Sequence, residues 1–175
     1  MAEIKSTLDL VMERTRHLSM SEEEKAQQQK ADFERRLQGL LQQYADGALT
    51  AEALRDRVSV LQAETKVSDR RIPIEAVLKR IDPDQDNRGW LILVQDFVPA
   101  AHSPVQEALT AYHKKKADLQ KTGEQRMLAQ LAQRHGIEGS AVLPNPQKDH
   151  QFLQHLSALR HEIQIRIEAI AQQIS

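Results

Sequence analysis

Apolar side chains at Phe152, Leu156, Leu159, Ile163, Ile167, Ile170 and Ile174 step along the C-terminal stretch by 4, 3, 4, 4, 3 and 4 residues. At 3.6 residues per turn this spacing stacks them on one helix face, and that face leaves water only if another helix lies against it. The order of steps also puts a stutter into a heptad repeat, which predicts a nearly straight rod rather than a strongly supercoiled one. Opened by Asn145-Pro146 and running to 174, such a helix of about 28 residues is roughly 42 Å long.

A second rod precedes it. Ser103-Pro104-Val105-Gln106 combines a cap residue, a first-turn proline and a capping-box glutamine, and Leu109, Tyr112, Leu119, Met127, Leu128 and Leu131 carry a seam to about residue 135. The seam is poor from Lys114 to Gly123, and Thr122-Gly123-Glu124-Gln125 has the form of an internal cap, but the spacing on either side predicts one continuous helix over 104–135. Gly136-Ile137 has the form of a left-handed stop with its apolar follower. With only 136–146 between them, the two rods must run antiparallel.

Upstream the elements are shorter. Ile4, Leu8, Val11, Met12 and Thr15 predict a helix over 3–18, and Ser21-Glu22-Glu23-Glu24 is a capping box with three acids on the positive helix end. The helix that follows carries Ala26, Phe33, Leu37, Leu40, Leu41 and Tyr44, and Asp46-Gly47 ends it. Thr50 caps the next, with Leu49 and Leu54 placed as a hydrophobic staple and Val58 and Leu61 extending the stripe. Pro73 suits the first turn of a short helix holding Ile74, Val77, Leu78 and Ile81, which Asp82-Pro83 closes. Trp90 to Val94 is strand-like in composition, but no second strand-like segment exists to pair with it, so 87–98 is expected to be a short buried helix.

The expectation is therefore an all-α fold: an elongated antiparallel helical bundle with two long C-terminal helices and an insertion of short helices. It is read as one domain over 1–175, with 1–50 and 99–175 as the bundle and 51–98 as the short-helix insertion. Helices 22–45 and 3–18 would supply the third and fourth members of the bundle. Aromatics at 3% and charged residues at 28% agree with long helices and narrow seams rather than sheets.

Several chemistries are argued down by composition. A net charge of -1 gives no global field toward nucleic acid or an anionic membrane. The absence of cysteine removes thiolate catalysis, disulfides and Cys-ligated metals, leaving His, Asp and Glu as ligands. The start Met1-Ala2-Glu3-Ile4-Lys5 has no apolar leader, and the run Trp90 to Val94 is far below the ~20 residues a membrane span requires, so a cytoplasmic location without membrane contact is expected.

Motifs narrow the field further. Asp82, Asp84 and Asp86 fall at positions 1, 3 and 5 of a calcium-loop register, but Asn87 replaces the turn glycine and Leu93 the bidentate glutamate, so a solvated capping loop is expected instead. No Glu-x-x-His occurs, and His150 and His161 share a face three turns apart, too far for one ion. No nucleophile elbow or phosphate-cradling glycine loop is present, so neither catalytic nor metal-ligating residues are assigned, and no cofactor.

Two segments remain as candidate contact sites. The basic patch Lys114, Lys115 and Lys116 with Arg70 and Arg71 has the charge to touch phosphates, although Asp118 and Glu124 follow closely and only Tyr112 offers a stacking face. The loop from His135 to Pro146 holds two glycines after its opening histidine and two prolines at its end, and Ile137, Gly139, Ser140, Val142, Leu143 and Asn145 form its candidate interaction set. The competing reading makes Ile137, Val142 and Leu143 a plug that closes the end of the bundle.

Two resemblances accompany these readings. Leu40-Leu-Gln-Gln-Tyr-Ala-Asp-Gly-Ala-Leu-Thr-Ala-Glu-Ala-Leu54 resembles the two-helix signature of bacterial SHOCT modules, small segments associated with oligomerisation, although any tight helical joint with an Asp-Gly stop and a Thr cap shows the same letters. Met1 to Thr15, the Asp46-Gly47 turn and His135-Gly-Ile-x-Gly-Ser-Ala-Val-x-Pro-Asn145 resemble an uncharacterised family of bacterial all-helical cytoplasmic proteins, along most of the chain. That likeness implies a bacterial cytoplasmic protein and carries over no functional residue.

The function expected from all this is a non-enzymatic protein-protein interaction or scaffold role, through a protein partner or a second copy. The alternatives are an RNA- or ribosome-associated factor using the basic patch, and a metal or small-ligand protein using His135, His150 and nearby carboxylates.

Overall fold

A computed structural model describes residues 21–139 and 141–173; the helix expected over 3–18 lies outside them, as do Ser140 and Ile174. Among the described residues every regular element is helical: α1 (Glu22–Ala45), α2 (Ala51–Thr65), α3 (Arg71–Leu78), α4 (Arg88–Phe97), α5 (Pro99–His135), a 3-10 turn (Pro146–Lys148) and α6 (His150–Gln173). None of these helices is long and apolar enough to cross a membrane. The chain parts into two compact units between Asp69 and Arg70.

The first unit contains the α1–α2 hairpin. The capping box forms as the sequence predicts: Ser21 Oγ accepts from the Glu24 amide at 3.1 Å while the Ser21 amide donates to Glu24 Oε2 at 2.7 Å. Residues 21–31 are exposed all round, Ala26 included, so the buried stripe of α1 begins only at Phe33 and continues through Leu37 and Leu41. A left-handed Gly47 turns the chain, Thr50 caps α2, and Leu54, Val58 and Leu61 meet the α1 stripe. Arg36 to Glu64 at 2.6 Å and Arg57 to Gln43 at 3.2 Å tie the helices across the hairpin. A groove lined by Leu40, Val60 and Leu61 runs beside these ties.

In the second unit, α3 and α4 pack against one end of the antiparallel α5–α6 pair. Val77, Leu78, Ile81, Leu93, Val94, Ala101, Val105, Leu109, Tyr112, Ile163, Ile167 and Ile170 are buried there, a four-helix core in which the segment expected as a helix over 87–98 is helical from Arg88 to Phe97. The short helices expected as one insertion over 51–98 are thus divided, α2 falling in the first unit and α3 and α4 in the second.

The long helices differ from expectation at their starts. α5 begins at Pro99, not at the Ser103-Pro104 start signal, and runs for 37 residues, about 55 Å at 1.5 Å per residue. The reason is that a single non-helical residue, Val98, suffices to leave α4, and Pro99 then supplies the fixed φ of a first position. Continuing through Pro104 leaves the Ala100 carbonyl without its helical donor, but Ala100 is exposed and water can satisfy it, while Ala101 becomes fully buried. Ser103, freed from capping, donates instead to Glu107 Oε1 at 3.1 Å.

α5 stays unbroken past Gly123, as the flanking seam predicts. α6 starts after the 3-10 turn: Asp149 is extended, its carboxylate accepts from the Gln151 amide at 2.9 Å, and the helix has 24 residues, about 36 Å.

Candidate interaction surface

Past Lys116, where the α3–α4 loop is fastened through Asp84, α5 and α6 continue side by side as an arm toward the loop that connects them. The pair is held in antiparallel register by Lys115 to Glu162 at 2.5 Å and, farther out, by Arg126 bound to Asp149 and Gln151. Burial alone would raise the Asp149 pKa, but the Gln151 amide and the Arg126 guanidinium outweigh it and hold the carboxyl below its ordinary value.

The end of the arm is closed by Pro146 and Phe152, which the sequence placed at the opening and on the seam of the last helix. Pro146 and Phe152 are buried against Gly123, where a Cβ would stand 3.2 Å from Pro146 Cβ and 3.3 Å from Phe152 Cδ2. Gly123 therefore serves a close approach of the returning chain rather than a break in α5. Its signal in the sequence was its position in the poor stretch of the seam, which is also compatible with a kink.

With that plug in place the loop stands outside it. Left-handed Gly136 ends α5 and lets the amides of Gly136 and Ile137 reach the carbonyls of Ala132 and Leu131 at 3.1 and 3.2 Å. Gly139, at φ 129°, makes a turn in which the Val142 amide donates to its carbonyl at 3.2 Å. Asn145 Oδ1 accepts from the Gln147 amide at 3.0 Å and fixes the exit. Between these anchors Leu143 is 90% exposed and Ile137 47% exposed, while Val142 is half-buried. The reading of Ile137, Val142 and Leu143 as the bundle plug is corrected to that extent: Pro146 and Phe152 fill the position against Gly123, and Leu143 stands exposed among the described residues. Leu128 and Leu153 add exposed apolar surface within about two turns of this end. Ser140, the remaining candidate, lies outside the described residues.

The basic patch is not a free set of cations. Lys116 donates to Asp84 Oδ1 at 2.5 Å with its ammonium 5.9 Å from the Tyr112 ring centroid, and Lys115 is bound to Glu162. Lys114 is exposed; Arg70 precedes α3 and Arg71 opens it, both exposed. Two of the three lysines thus serve the fold.

Asp84 is the hub of a cluster that no local pattern announced. Its side chain, 15% exposed, receives Tyr112 Oη at 2.8 Å and Lys116 on one oxygen and Arg160 Nε at 2.6 Å on the other, so the α3–α4 loop is fastened to both long helices. His113 Nε2 lies 2.9 Å from the Pro83 carbonyl beside it. Burial pushes the Asp84 pKa up, yet the Lys116 and Tyr112 hydrogen bonds and the charges of Lys116 and Arg160 outweigh it and the net direction is down. Burial and the bond to Asp84 raise that of Tyr112.

The three aspartates once aligned on a calcium register are committed inward or sideways. Asp82 accepts from the Asp84 amide at 2.9 Å, and Asn87 bridges the Asp82 amide, the Asp82 carbonyl and the Gln85 carbonyl. Arg88 holds Asp86, whose pKa falls to about 2 through hydrogen bonds from the Arg88 side chain and amide. No group of three or more His, Asp or Glu side chains placed to hold a metal exists among the described residues, and His135, His150 and His161 are all exposed.

No family model, no curated protein and no solved structure matches the chain.

Proposed function

We propose that this chain is a non-enzymatic interaction protein that presents the loop at the end of the α5–α6 arm to a protein partner in the bacterial cytoplasm. The observation that carries the reading is Leu143, a large aliphatic side chain 90% exposed on a loop whose two ends are anchored by Gly136 and Asn145. A leucine 90% exposed gains little from folding, whereas burial in a partner's pocket is worth about 2 kcal/mol. Anchored ends reduce the entropy lost when the loop is captured. The contact is a small knob: Ile137, Leu143, Leu128 and Leu153 are well short of the about 20–30 residues per side of a standard interface, so the rest of the affinity comes from the flanking helix faces.

The test is a paired set of variants, Leu143→Lys and Ile137→Lys, compared with wild type by light scattering and by pull-down from the host cytoplasm. Wild type is expected to retain a defined partner or to self-associate, and both variants to lose at least tenfold in retention at unchanged circular dichroism. A wild-type chain that stays monomeric and retains nothing, or variants that retain as much as wild type, would sink the proposal.

A further inference from the structure

We draw no further inference here: the strongest candidate, the apolar groove between α1 and α2 lined by Leu40, Val60 and Leu61 and flanked by Arg57 and Glu64, carries none because nothing in the structure shows what covers it.

Discussion

The two ends of the α5–α6 pair are built from the same helices and behave as different materials. At the core end, α5 meets α4 and α6, which α3 also packs against, and Ala101, Val105, Ala108, Leu109 and Tyr112 are buried over little more than three turns. At the arm end, among the described residues, α5 packs on α6 and the 3-10 turn, and its buried positions reduce to Gly123, with Leu119 and Met127 half-covered. A helix with partners on several sides hides a wide apolar stripe; a helix with one partner hides a single seam. The difference teaches that burial, and with it stability, is concentrated at the core end, while the connecting loop sits at the end with the narrower seam.

Substitutions can break or sharpen that contrast. The largest effect is expected at the core end, where Ile167→Ala removes about 3 kcal/mol of stability, while Leu156→Ala in the half-buried arm seam removes about 1 kcal/mol, both read by urea unfolding. Equal losses at the two positions would mean the arm is packed as tightly as the core. Next comes Gly123→Leu, which drives a side chain into Pro146 and Phe152 and is expected to cost about 2 kcal/mol. Its signature is faster amide exchange at the start of α6 with protection near Ile167 unchanged, since the end of the arm opens locally.

Asp84→Asn tests the junction between the two ends. It leaves Lys116 and Arg160 without their shared anion, and about 1–2 kcal/mol of stability is expected to go, after allowance for solvent screening. The folded carboxyl titrates below its ordinary 3.8, so its stabilising contribution is complete above that value and is lost as pH falls through the lower folded value. The gap between wild type and Asp84→Asn should therefore be level near neutrality and narrow in acid below 3.8, as followed by unfolding at a series of pH values. A gap that instead narrows between pH 5 and 8 would assign the effect to another group. The smallest change in stability, under about 0.5 kcal/mol, is expected for Leu143→Lys, the variant with the largest expected loss of partner retention.

Much of the helical architecture was legible without coordinates because its signals are local. Ser21 with Glu24, Thr50 with Ala53 and the left-handed Gly47 and Gly136 act over three or four residues, and each forms where the pattern places it. The helical choice for 88–97 also followed from the chain, since a strand without a neighbour has nowhere to satisfy its backbone. The start of α5 was misplaced because Ser103-Pro104 is a good start signal that a better one, Pro99 directly after α4, pre-empts. The candidate loop was identified at Ile137, Gly139, Ser140, Val142, Leu143 and Asn145, but which of its apolar residues, Ile137, Val142 and Leu143, face inward was not readable, since all three have the same chemistry.

By itself the order of residues determined the helical class, the antiparallel rods and most helix ends, because propensity, capping and the 3.6-residue period are properties of neighbours along the chain. Only the tertiary structure decided that Asp84 holds Tyr112, Lys116 and Arg160, residues 28, 32 and 76 positions away, and so withdraws Lys116 from the basic patch. It also decided that Pro146 fills the space above Gly123 and leaves Leu143 outside. Both outcomes depend on which helix faces meet and at what level, and a one-dimensional pattern that repeats every three or four residues is the same at every level.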